Sequence, residues 1–113
     1  MLTNTAPVAA NAVKADITQV ANGNGYTTDG AVVPATSYGQ VAGVGKLAGS
    51  DTVFTSNTGN MGPFRYAVLM NSTPAAGPLI GWWDRGSSIT LDGTQGDTFT
   101  QDFTDNTQLI SIT

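Results

Sequence analysis

The side chains able to do chemistry in this 113-residue chain are few. There is no His and no Cys, all eight acidic residues are Asp, and the basic residues are Lys14, Lys46, Arg65 and Arg85. Without His or Cys the commonest general base and the most readily activated nucleophile are both missing. Paired carboxylates could serve a glycosidase-like reaction. The acidic residues, however, stand in turn contexts: Asp29-Gly30, Asp92-Gly93, Gly96-Asp97 and Asp105-Asn106. There Asp bonds its own backbone and tolerates the left-handed region, so turn formation is the expected role. No enzyme and no cofactor are expected.

Two loops resemble binding motifs at first sight. Asp92-Gly93-Thr94-Gln95-Gly96-Asp97, with Asp102 and Asp105 downstream, has oxygen donors for calcium, but it lacks the alternating ligands and closing Glu of an EF-hand. No metal is expected. Gly43-Val44-Gly45-Lys46-Leu47-Ala48-Gly49 fails as a phosphate loop, because Gln40 stands five before Gly45 and Leu47 replaces the magnesium-binding Ser or Thr.

Composition describes the frame that carries these residues. Apolar residues make up 40% and charged ones 11%, well under the roughly 25% charged of ordinary domains, so uncharged polar groups must cover the surface. Asp, Asn, Gly and Thr favour turns and strands, whereas Glu, a good helix former, is absent. The expectation is a mainly β single domain over residues 1–113, an antiparallel sandwich or rolled sheet of about seven to eight strands. With net charge −4 and scattered cations, no basic stripe exists for nucleic acid. No apolar run approaches the ~20 residues of a membrane span. The absence of Cys excludes disulfides.

Along the chain, Val13, Ile17, Val20 and Ala21 fall on one helical face with Asn11 as N-cap, which predicts a short helix over 11–21 ended by Gly23 and Gly25. Strands are expected at Met1–Thr5, Tyr26–Val33, Ser37–Leu47 (an edge), Thr52–Ser56, Ser87–Leu91, Asp97–Phe103 and Gln108–Thr113. The most apolar stretch is Phe64–Asp84. It reads as a hairpin at the middle of a sheet, with arms Phe64–Met70 and Leu79–Trp83 around a Pro- and Gly-rich loop. Beyond Arg65 neither face of the first arm is polar, so cover on both sides is expected. Trp82 and Trp83 are adjacent and cannot enter one core together. One is expected in the core and the other under the 13–20 helix, or one at a subunit contact, where Trp is enriched. The candidate interface is Arg65, Leu69, Asn71, Pro74, Pro78, Trp82 and Trp83.

These residues carry a resemblance. Arg65-Tyr66-Ala67-Val68-Leu69, then Pro78-Leu79-Ile80-Gly81-Trp82-Trp83-Asp84 and Gly86-Ser87-Ser88, are similar to a motif set of small virion structural proteins of tailed bacteriophages. Ala15-Asp16-Ile17-Thr18 with Gly25-Tyr26-Thr27, and Phe99-Thr100 with Leu109-Ile110-Ser111-Ile112-Thr113, extend it over nearly the whole chain. In one respect the chain departs from that pattern: relatives carry an extra N-terminal segment whose last strand would end near Met1-Leu2-Thr3. The resemblance implies a virion component without enzyme activity or cofactor, made in the host bacterial cytoplasm. Acidic balance, which packaged DNA would repel, small size and low charge, which suits interface cores, favour the outer surface of the head. The expectation is a decoration or cement protein whose partners are the major capsid protein and copies of itself, as a dimer or trimer. A tail, neck or fibre-associated component is the alternative. A carbohydrate-binding sandwich, with Trp82 or Trp83 and Tyr38 as stacking platforms, is the second.

Overall fold

The computed structural model describes residues 1–103 and 110–112. The mainly β expectation holds. Among the described residues eight strands follow in order: β1 (Leu2–Thr3), β2 (Ala35–Val41), β3 (Val44–Gly49), β4 (Thr52–Thr55), β5 (Met61–Met70), β6 (Leu79–Leu91), β7 (Thr98–Gln101) and β8 (Ile110–Ile112). They form three small sheets, ordered β1-β5-β6, β2-β3-β8 and β4-β7. The chain makes two compact units, one from 1–30 with 54–98 and the other from 31–53 with 99–113.

The core of the first unit lies along β5. Phe64 is 1% exposed and Val68 3%. Met1, Ile17 and Val68 form one cluster with Met70 and Leu79 packed against it. Tyr26 and Phe54 stack with ring centroids 6.0 Å apart. Val68 is bonded on the β1 side through both backbone groups, its N–H donating to Met1 O and its carbonyl accepting the Met1 amine, each at 2.8 Å. Burial pushes that amine down to about 6, against the opposing pull of Asp29.

The helix expected over 11–21 is not formed; a single 3-10 turn at Lys14–Asp16 stands in its place. The physical reason is competition for the backbone. Asp16 Oδ2 accepts from the N–H groups of Ala12 and Val13, at 2.8 and 3.1 Å. Lys14 N–H donates to Gly77 O, Ala12 O accepts from Leu79 N–H, and Val20 N–H donates to Leu2 O. Of these, Ala12 O and Val20 N–H would have served the i→i−4 ladder of a helix over 11–21, and both are taken by partners far along the chain. Asn11 caps no helix, since its Oδ1 accepts from Val8 N–H at 2.8 Å. The apolar spacing still buries Ile17 and Val20, each 8% exposed, but from an extended segment.

Nor is Tyr26–Val33 a strand. Tyr26 makes only a local bridge with Gly23, and Asp29 and Gly30, at φ 73° and 80°, reverse the chain. A polar network fixes that reversal. Lys14 Nζ donates to Asp29 Oδ2 at 2.7 Å and Gln19 Nε2 to Asp29 Oδ1 at 3.1 Å. The Tyr26 hydroxyl accepts from Leu2 N–H and donates to Gln19 Oε1, both at 3.0 Å. Gly30 must be glycine, because a Cβ there would stand 2.9 Å from Met1 Cα.

In the second unit the single edge strand expected over Ser37–Leu47 is a hairpin. Ala42 and Gly43, at φ 52° and 84°, turn β2 into β3. The closing strand expected over Gln108–Thr113 is described only at β8, which pairs with β3.

Candidate interaction surface

The β5–β6 hairpin holds all seven candidate interface residues, and the structure corrects its placement. β5 is central, between β1 and β6, but β6 is the outer strand, so the hairpin as a whole is not the middle of the sheet. β6 also continues through the segment expected as a separate strand at Ser87–Leu91. Its register explains both facts. Val68 faces Trp82, Ala67 faces Trp83 and Tyr66 faces Asp84, after which Phe64 faces Ile89. Two steps on β5 therefore span five on β6, and Arg85–Ser88 bulge out of the ladder.

Neither tryptophan is core. Trp82 is 46% exposed and Trp83 half-buried. The absent helix removes the shelter expected for the second indole. Sequence reasoning missed Ile80, which is 44% exposed. It is the extra residue between the Leu69–Gly81 and Met70–Leu79 pairs, and no signal in the sequence marks a bulge there. Leu69 is half-buried, whereas Asn71, Pro74 and Pro78 are exposed.

The connecting loop is held in shape by its own bonds. Asn71 N–H donates to Pro78 O and Gly77 N–H to Pro74 O, each at 2.9 Å. Asn71 Oδ1 accepts from Thr73 N–H at 3.0 Å, an Asx turn. Gly77 takes φ 58° and lies against Lys14 and Met70. The loop thus presents prolines on a fixed backbone.

Arg65 is committed elsewhere. Its Nε and Nη2 donate to the two oxygens of Asp84 at 2.7 and 2.8 Å, a bidentate pair. Its guanidinium carbon lies 5.3 Å from the Tyr66 ring centroid. Asp84 accepts in addition from Gly86 N–H at 2.7 Å. Arg65 first, and then the Gly86 N–H, hold the Asp84 carboxyl at about 2. In the bulge, Arg85 Nη1 donates to Ser87 O at 3.0 Å.

The carboxylates of the Asp92–Asp97 loop are spent on the loop itself. Asp92 Oδ1 accepts from Thr94 N–H at 2.8 Å and Thr94 Oγ1 at 2.6 Å, and Asp97 Oδ2 from Asp92 N–H at 3.0 Å. Those Thr94 bonds hold the Asp92 carboxyl below its ordinary range. Among the described residues no group of three or more His, Cys, Asp or Glu is placed to hold a metal ion. What the hairpin offers chemically is two exposed apolar side chains, Ile80 and Trp82, on the strand that follows a proline-bearing loop. Compared with protein-family models, curated proteins and solved structures, the chain matches none.

Proposed function

We propose that the chain is a non-enzymatic structural protein of a tailed-phage virion: a decoration or cement protein that binds the outer face of the assembled head and bridges capsomers. The observation that carries this reading is the exposure of Ile80 and Trp82, 44% and 46%, beside a loop of fixed shape, on the motif that resembles the phage family. Exposed aromatic anchors flanked by uncharged residues are what protein interfaces use at their centres. The shell is stabilised by mass action, because the protein binds the assembled lattice and not the unfolded capsid subunit. The partners are the major capsid protein and further copies of the chain, with no cofactor.

Purified heads lacking the protein provide the test. Added protein should bind them and raise the temperature at which the shell opens. Trp82→Ala should weaken binding by about 2 kcal/mol, roughly thirtyfold in Kd. Heads that neither bind the native protein nor gain thermal stability would sink the decoration reading.

A further inference from the structure

β2 is the outer strand of the β2-β3-β8 sheet, and among the described residues no strand pairs with its free side. Ser37, Tyr38, Gly39 and Gln40 are all exposed, with Tyr38 at 86%. Successive strand residues face opposite ways, so this stretch lacks cover on either face as well as along its edge. Natural edges are blunted by Lys, Pro, inward charges or bulges. From Ser37 to Val41 there is no charge and no Pro, and the register with β3 runs unbroken, its one irregularity lying before Ser37.

The hydrogen-bond phase of this edge follows from the turn. A two-residue loop with both central residues at positive φ is of type I′, which makes Val41 and Val44 the closing bonded pair. Alternation along the ladder then turns the N–H and C=O of Tyr38 and Gln40 outward, and those of Gly39 toward Lys46 on β3.

We propose that β2 pairs edge to edge with β2 of a second copy, antiparallel about a two-fold axis at Gly39, to make one six-stranded sheet β8-β3-β2-β2-β3-β8. Tyr38 of each copy faces Gln40 of the other, and each such pair exchanges both N–H···O=C bonds, which is the phase the turn imposes. Gly39 meets itself at the non-bonded position, where Cα atoms approach to about 4.5 Å. The space beside it is open, since a Cβ there would meet nothing within 4 Å. The stretch is uncharged, so no like charges oppose each other. The Lys46 groups of the two copies stand three strand spacings apart, about 14 Å, beyond the screening length of roughly 8 Å. A foreign strand would find no charge here to select it, whereas self-pairing sets Tyr38 beside Gln40 on both sides of the axis. The inference specifies the self-association within the proposed function, but it stands on strand geometry in the second unit, while shell binding stands on the hairpin of the first. The two therefore fail separately.

Sedimentation equilibrium of the full chain from micromolar to millimolar concentration should show a dimer. Tyr38→Pro removes an outward N–H that β3 does not use, and should weaken the dimer at least tenfold with unchanged strand circular dichroism. The chain has no Cys, so Gly39→Cys is a single probe and should oxidise to a disulfide-linked dimer, whereas Asn71→Cys on the hairpin loop should form no disulfide-linked dimer. A native chain that is monomeric throughout overturns the proposal. So does a dimer that survives Tyr38→Pro and that Gly39→Cys does not capture.

Discussion

Two of the outer strands, β6 and β2, are edges of opposite design. β6 is long and apolar, yet its edge is interrupted: Ile80 is a bulged residue, Arg85–Ser88 leave the ladder, Asp84 occupies Gly86 N–H, and Arg85 occupies Ser87 O. β2 is shorter, uncharged and regular, and carries none of these devices between Ser37 and Val41. Bulges and charges are how proteins keep a free edge from templating another strand. The difference teaches that exposed apolar side chains and an open backbone edge are separate assets. β6 offers side chains to a surface with its backbone largely guarded, while β2 offers backbone. In the proposed function that is a division of labour, β6 for the shell and β2 for a second copy.

The largest expected effect separates what holds each edge up. Phe64 is 1% exposed at the centre of the sheet that carries β6, so Phe64→Ala should cost about 3–5 kcal/mol in urea unfolding. Tyr38, 86% exposed on β2, should change monomer stability by no more than about 0.5 kcal/mol when replaced by Ala. An equal cost at both positions would mean that β2 is not an open edge but is covered in the monomer.

A smaller effect belongs to the sheet of β6 alone. The Met1 amine is depressed from 8.0 to about 6 by burial. A basic group with a lowered folded pKa binds its proton more weakly folded than unfolded, so protonation favours the unfolded chain. Stability should therefore be highest above pH 8 and decline as pH falls to 6, by on the order of 2 kcal/mol, then level off. Acetylation of the amine should flatten the profile between those limits. A profile already flat in the unmodified chain would place the amine in water.

How much of this was legible in the sequence differs between the same two regions. Phe64–Met70 and Leu79–Trp83 declare themselves by β-branched and aromatic residues around a Pro-Gly loop, and both are strands with the seven candidate residues on one hairpin. What the letters do not carry is the neighbour list. Whether β6 is central or outer depends on where β1 and the 12–20 segment bond, and those are contacts at long sequence separation. The helix reading failed for the same reason. Val13, Ile17 and Val20 have helical spacing, but Leu79 N–H takes Ala12 O and Leu2 O takes Val20 N–H, both from far along the chain. At β2 the Ala42-Gly43 turn leaves no signal, because Ala at positive φ is uncommon, and the letters suggest one weak strand where a hairpin stands. The exposure of Tyr38 was equally hidden, since alternation reports faces and not what covers them.

The smallest change in stability gives the closest look at the guarded edge. Asp84 is held at about 2 by Arg65 and Gly86 N–H. An acid with a lowered folded pKa contributes stability above its unfolded value of 3.8 and loses it as pH falls from there toward 2. Because the pair is exposed, the change in stability is minor. The change in association should be the larger signal, since protonation frees Gly86 N–H and loosens the bulge that keeps β6 from pairing. In a Tyr38→Pro background, where β2 no longer dimerises, light scattering should rise between pH 4 and 2. Asp84→Asn should bring that rise to neutral pH, because an amide keeps one acceptor but forfeits the bidentate charge pair with Arg65. If Asp84→Asn scatters at pH 7 no more than its parent, the carboxylate is not the guard. The bulge geometry at Gly86, φ 97°, would then be what keeps the edge closed.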